Sequence, residues 1–487
     1  MAKSIRRVAV IGAGPAGAIA TDALVKEQAF DTIRVFDRQT APGGTWVLST
    51  EQNTGIHSLQ DLLHKNADQG VPVPFSFPCE TPVTEEINSH QLRFLDTGTH
   101  PQLHSNLPPE IMCFTQEPIP AVVSEQTVAQ HRPDSQFRPR QVIQDWVGSI
   151  FTQGGHSHLL ELGTTVELAE HRGEEWVLTL RRTTPGGEKN YWWQETFDAV
   201  VVATGHYYLP YIPNIPGLVE YEKRFPGTIL HSKHYRGAEK FREKQVIVVG
   251  GSVSAFDILH DIRQVCHKPV ISSLRNHSRI FGTAPFTHPD IDNRSQISSL
   301  DAKTGQVHFT DGSSIDRVDH ILFATGYDFS FPFLPHLKSV HKRIPGLYQH
   351  IFKIDDPTLA FIGMVVTGGF GIRIFEWQAV AAARIFAGHA ALPPREEMEK
   401  WELDRIARHG DQAAFWTLIP DFEKHFEELR ALAGSPAHGT TGRVLPPYQP
   451  EWGESFWQFV RYRNSWWEKN AAEAKVKASS RGRDVKI

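Results

Sequence analysis

Val8-Ala-Val-Ile11-Gly12-Ala-Gly14-Pro-Ala-Gly17, near the start of the chain, is a short apolar run that breaks on glycine. A run of that length without polar alternation reads as a buried strand. The Ala-rich stretch Pro15–Val25 has helical composition, and Ile33-Arg-Val-Phe36 reads as a second strand, so the order is strand, helix, strand. The glycines fit G-x-G-x-x-G. Gly12 permits a tight turn, Gly14 lets a pyrophosphate approach the backbone, and Gly17 lets the helix pack on the strand. Asp37 lies twenty positions past Gly17, at the end of the next strand, where a carboxylate accepts hydrogen bonds from ribose hydroxyls. Downstream, Gly43-Gly44-Thr-Trp46 offers close-approach backbone and an aromatic to a flat cofactor; a Gly-Gly turn beside a core tryptophan is the alternative.

The same grammar returns 238 positions later, at Gly250. Gln245–Val249 reads as a strand, Ser254–Cys266 as a helix and Val270–Leu274 as the next strand. Gly250-Gly-Ser252-Val-Ser254-Ala255 keeps the first fingerprint glycine and replaces the others with Ser252 and Ala255. Twenty positions past Ala255 stands Arg275, where the first unit has Asp37. A guanidinium binds a 2′-phosphate that a carboxylate would repel, which points to NADP in this half; an exposed arginine after a strand is the alternative. Ala199–Val202 and His320–Phe323 are further buried-strand runs, each ending at an Ala-Thr-Gly turn (Gly205 and Gly326). Two dinucleotide sites of different type imply electron transfer from NADPH to a bound flavin.

The 487 residues exceed one ordinary domain. With 50 basic against 55 acidic residues there is no broad basic field for nucleic acid. Cys79, Cys113 and Cys266 form no C-x-x-C pair, which excludes a dithiol redox motif and a cysteine-rich metal site; no metal is expected. Neither a signal peptide nor a membrane anchor is legible, so the expected location is the cytoplasm. Arg395–Leu432 has a helical pattern, and His156 and His158 lack the spacing of metal ligands.

Between the two glycine motifs lies Phe225-Pro-Gly227-Thr-Ile-Leu-His231-Ser-Lys-His-Tyr235. It matches F-x-G-x-x-x-H-x-x-x-Y/F at each fixed position, and by it the chain resembles the flavin-containing monooxygenases, the class B flavoprotein monooxygenases. Gly43–Trp46, Gly250–Ala255 and both Ala-Thr-Gly turns are also similar to that family, over residues 5 to about 400. The resemblance implies an α/β fold of two Rossmann-like domains, the NADP domain inserted in a discontinuous FAD domain. The expected division is residues 1–215 (FAD, with an insertion at 50–99), 216–320 (NADPH) and 321–487 (FAD, second part, with C-terminal helices).

Leu103-His-Ser-Asn106-Leu-Pro-Pro-Glu110 resembles the family segment in which an asparagine faces the flavin, which implies a catalytic role for Asn106; a turn before Pro108 is the alternative. An amide can donate and accept toward a peroxide without protonating it strongly. The implied mechanism runs from NADPH through FAD and O2 to a C4a-hydroperoxyflavin attacked by a nucleophilic nitrogen or sulfur of a small molecule, as in enzymes of the N,N-dimethylaniline monooxygenase type. Tyr235 stands where ketone-oxygenating Baeyer–Villiger relatives typically have tryptophan. Such an oxygenase, an NADPH oxidase and a dinucleotide-binding sensor are the rivals, and a homodimer is entertained as the assembly. The interval from Trp46 to Asn106 is longer than in common members, and the insertion is expected beside the flavin.

Overall fold

Val8, Ala9 and Val10 are fully buried, as an apolar run without alternation requires when both faces of a sheet are covered. In the computed structural model of this chain the described residues are 4–49, 56, 58–63, 70–84, 96–131, 133, 135–278, 280–337, 342–365 and 370–481. They divide into two units. The first comprises Met1–Glu51, Asp68–Leu209 and Asp328–Phe456, and the second Gln52–Ala67, Pro210–Tyr327 and Trp457–Ile487.

The first unit is built on a seven-stranded sheet. Arg7–Ile11 lies between Thr32–Asp37 and Ala199–Val202, parallel to both. Leu359–Phe361 and Leu160–Leu162 extend the parallel set on either side, and a short antiparallel edge follows Leu359–Phe361. The helix Pro15–Lys26 connects Arg7–Ile11 to Thr32–Asp37. A four-stranded antiparallel sheet joins Cys79–Pro82, Lys189–Phe197, Glu175–Thr183 and Thr164–Arg172.

The second unit repeats the plan with five parallel strands, in the order Ile229–His231, His320–Phe323, Val246–Val249, Val270–Ser273 and Ile291–Arg294. The repetition extends to single bonds. Gly12 N–H donates to Phe36 O (2.8 Å) and Gly250 N–H to Ser273 O (3.0 Å); Ala203 N–H donates to Ile11 O and Ala324 N–H to Val249 O, both at 2.8 Å. A Cβ on Gly12 would lie 2.5 Å from Ala203 O, and one on Gly250 would lie 2.4 Å from Ala324 O. Each first glycine is therefore required by the backbone carbonyl that opens an Ala-Thr-Gly turn.

The division departs from the sequence expectation in three respects. The chain crosses between units at 209/210 and 327/328, not at 215/216 and 320/321. The C-terminal residues from Trp457 onward belong to the second unit, because Trp467, fully buried, packs edge-on to Phe256 (5.6 Å), and Arg463 lies over the Phe256 and Phe281 rings and pairs with Asp257. The insertion is shared. Leu59 is buried in the second unit's core with Ile56, Leu62 and Leu63 against it, whereas Val71 packs on Trp192 and Cys79–Pro82 adds a strand to the first unit's antiparallel sheet. Residues 50–55, 57, 64–69 and 85–95 of the insertion lie outside the described residues. Among the described residues no helix is long and apolar enough to cross a membrane.

Candidate functional site

The helix Pro15–Lys26 opens at Gly14 with no side chain capping it and proline in its first turn. An uncapped helix start presents N–H groups and the positive end of the helix dipole, which an anion completes. Around it the backbone is crowded. A Cβ on Gly17 would sit 1.8 Å from Gly12 O, and Gly14 faces Gly44, where a Cβ would meet the Gly14 Cα at 2.8 Å. Gly43 N–H donates to Ala13 O (3.0 Å), so the Gly43–Trp46 turn docks on the glycine loop, and Arg140 Nη1 reaches Trp46 O (3.5 Å).

Asp37 closes the strand Thr32–Asp37 and accepts hydrogen bonds from Ala13 N–H (2.6 Å) and Gln39 N–H (2.8 Å). Burial pushes its carboxyl upward, and those two backbone donors act against the shift. Three buried polar atoms beside this loop have no partner: Gln39 Oε1, Thr204 Oγ1 and Arg140 Nε. Each unsatisfied buried group costs roughly 1–3 kcal/mol unless a ligand or water partners it. The residues fit an adenine dinucleotide. Gln39, Thr204 and Arg140 were not read from sequence; only Thr204 carried a signal there, through the repeated Ala-Thr-Gly turn. Substituting Gly17 by Ala should leave the purified protein with less than about a tenth of the flavin of the parent, judged by visible absorbance, because helix and loop cannot both keep their places.

In the second unit the helix Val253–Ile262 opens at Ser252, again without a side-chain cap. Ser252 is exposed, Ser254 lies in the first turn, and Ala255 is buried where the first unit has its third glycine. Arg275, just past Val270–Ser273, is exposed and makes no ion pair or hydrogen bond among the described residues. The two units thus place an acid and a free guanidinium at corresponding strand ends.

The Phe225–Tyr235 motif is fixing geometry. Glu222 accepts hydrogen bonds from Gly227 N–H (2.6 Å) and Ile229 N–H (2.8 Å). His231 is buried; its Nδ1 accepts from Lys233 N–H (3.0 Å), so the proton sits on Nε2, which faces Gly326 O at 2.9 Å. Tyr235 donates to Asp261 Oδ2 (3.1 Å), and burial first, then that carboxylate, hold its hydroxyl protonated. His231 and Tyr235 are therefore spent on tying the strand Ile229–His231 to its neighbours and are not free to act as acid and base. His206, after the first Ala-Thr-Gly turn, is pushed down to about 4 by burial and lies 3.2 Å from Gly363 O through Nδ1.

Asn106 occupies a bend between two tethered flanks. Ser105 N–H donates to Arg138 O (2.8 Å) and Arg140 N–H to Leu103 O (2.9 Å), and the short helix Pro109–Met112 follows. Its side chain is exposed and forms no hydrogen bond among the described residues, so the bend leaves the amide available. The two histidines set aside earlier are accounted for locally: buried His156 lies 3.3 Å from Asp22 Oδ1, and His158 is 3.0 Å from Gly155 O.

The family described as flavin-binding monooxygenase-like matches residues 182–284 and 290–433. The chain is 26% identical to the flavin-containing monooxygenase ustF2 of Aspergillus flavus over 488 residues, 92% of this chain and 96% of that protein. It is 30% identical to a trimethylamine monooxygenase of Methylocella silvestris over 404 residues, 81% of this chain and 77% of that one. The solved structure of S-allyl-L-cysteine S-oxygenase from Allium sativum shares the fold, with a TM-score of 0.72, 22% identity and 99% of each chain covered.

Proposed function

The chain belongs to the flavin-binding monooxygenase-like family, and on that premise we propose that it oxygenates a soft nucleophilic nitrogen or sulfur of a small molecule at the expense of NADPH and O2. The overall change is NADPH + H⁺ + O2 + substrate giving NADP⁺ + H2O + the N- or S-oxide. The observation that carries this reading is the pair of uncapped helix starts, one with Asp37 and the other with Arg275 at the matching strand end. They suit two different dinucleotides, FAD and NADPH.

In the first unit Gly12, Gly14 and Gly17 would admit the FAD pyrophosphate to the helix start, Asp37 would hold the adenosine ribose, and Gly44 and Trp46 would close the loop over it. In the second, Gly250, Ser252 and Ser254 would meet the NADPH pyrophosphate and Arg275 its 2′-phosphate. Bound flavin supplies the electron transfer and the activation of oxygen. The protein binds, orients and excludes water, and Asn106 offers an amide donor and acceptor that cannot act as a strong acid. A nucleophilic nitrogen or sulfur is favoured over a ketone by Tyr235, and the trimethylamine monooxygenase relative supports an amine.

The test is a yellow purified protein that consumes NADPH and ¹⁸O2 and places one label in the oxide of trimethylamine or methyl phenyl sulfide. Labelled lactone from cyclohexanone alone would establish the Baeyer–Villiger reading; hydrogen peroxide without labelled product from these or a wider panel would establish an oxidase; a colourless protein that binds no flavin would end the enzyme reading. Arg275→Ala should raise KM for NADPH about tenfold or more, the loss of one bidentate phosphate contact, and change KM for NADH less than about twofold. Equal effects on the two would remove the 2′-phosphate assignment.

A further inference from the structure

Glu376 has no exposed surface and lies in the first turn of the helix Arg373–Ala387. A carboxylate so placed must be partnered, and it accepts hydrogen bonds from Thr115 N–H (2.7 Å), Thr115 Oγ1 (2.6 Å) and Arg443 Nε (2.8 Å). Arg443, also buried, reaches Asp22 (2.5 Å) and both oxygens of Glu117 (3.0 and 2.6 Å). Asp22 belongs to Pro15–Lys26, the helix that the first glycine loop opens, whereas Thr115 and Glu117 follow Asn106 in sequence. Arg373, in the same turn as Glu376, donates to the Glu110 carbonyl and lies 3.4 Å from Cys113 Sγ.

The segment from Asn106 to Glu117 is thereby fastened to Arg373 at Glu110 and Cys113, to Glu376 at Thr115 and to Arg443 at Glu117, and Arg443 is also fastened to the helix of the flavin cradle. We propose that Glu376 is a positioning residue: through Thr115 and Arg443 it fixes the place of the Asn106 amide relative to the first glycine loop. The proposal rests on the reading of Asn106 given above. A carboxylate suits the task because it accepts from both groups of Thr115 and from a guanidinium at once; the amide of a glutamine keeps the shape but has a single acceptor oxygen.

The test uses the full chain with flavin bound. In Glu376→Gln, amides of residues 103–117 should exchange with deuterium about tenfold faster while the glycine-loop helix keeps its protection. Without added nucleophile, NADPH-driven release of hydrogen peroxide should rise about five- to tenfold, with the rate of flavin reduction within about twofold of the parent. In an Asn106→Ala background the same substitution should add nothing to peroxide release, because its effect runs through that amide. Parent-like exchange and peroxide release in Glu376→Gln overturn the proposal, and so does a full additional increase in the double variant, which marks a merely structural role. If Asn106→Ala itself releases peroxide at the parent rate, the reading of Asn106 falls and this proposal with it; parent behaviour in Glu376→Gln alone removes only the proposal. Should Glu376→Gln fail to fold, Thr115→Val removes one contact and leaves Glu376 paired with Arg443. It should move both readouts the same way by a smaller factor, and parent-like values there overturn the proposal.

Discussion

Asn106→Ala should cut oxygenated product by about 10²–10³-fold, the size of effect seen when one preorganised polar group is removed from a reacting centre. NADPH should still reduce the flavin within about twofold of the parent rate, because the two cradles contain no part of this side chain. The electrons then leave as hydrogen peroxide. Asn106→Asp should behave alike for a different reason: a carboxylate loses the amide donor and, when protonated, is a far stronger acid than the amide it replaces. Single-turnover absorbance separates reduction from oxygen transfer, and product mass with peroxide assay completes the balance. A variant that still oxygenates well would leave Asn106 as only the turn before Pro108.

The second large effect is acid lability of the helical region that follows residue 395. His350 is fully buried and His425 nearly so; neither His350 ring nitrogen, nor His425 Nε2, has a hydrogen-bond partner. Their rings lie 5.7 Å apart, and Trp416 lies 4.9 Å from His350. Burial first, then the charge of Arg405, holds both below the usual histidine range, His425 at about 3 and His350 well depressed. Above pH ~6.5 folded and unfolded chains alike keep these rings neutral, so they contribute no pH dependence there. Below it the unfolded chain takes up protons that the folded one refuses. Stability therefore falls by roughly 1.4 kcal/mol per pH unit for each ring, continuing toward pH 3 for His425. Between pH 6.5 and 5 the pair should cost roughly 3 kcal/mol, a large part of the roughly 5–15 kcal/mol typical of folded proteins. Urea midpoints at pH 7.5 and 5.0 check this. His425→Gln and His350→Asn, the latter chosen because residue 350 has φ of 62° and asparagine tolerates that region, should each flatten the dependence. An unchanged slope in both would assign the acid sensitivity to other groups.

Both βαβ units were legible in sequence because a fully buried parallel strand and a glycine that must lack a Cβ are local requirements. That Asp37 and Arg275 stand at corresponding strand ends was legible for the same reason, even though Ser252 and Ala255 spoil the second fingerprint. Partners far apart in the chain were not legible. Arg443 meets Asp22 at a separation of 421 residues, and Thr115 meets Glu376 at 261, so no window of sequence contains the hub that fastens the Asn106 segment. The helical pattern read over Arg395–Leu432 likewise stops short of the residues that reach the second unit; Trp467 and Arg463 find Phe256, Phe281 and Asp257 some two hundred residues upstream. The insertion misled for a related reason: its apolar residues, Leu59 and Val71, serve two different cores.

The packing of Trp467 on Phe256 also bears on the order in which the protein is made. The face of Phe256 that Trp467 covers is synthesised early and completed late, because everything from Asp328 to Phe456 is delivered to the other unit in between. While the ribosome adds that stretch, the helix Val253–Ile262 carries an uncovered aromatic face, the kind of surface that draws chaperones or aggregates. Translation must pass Trp467 before that surface closes.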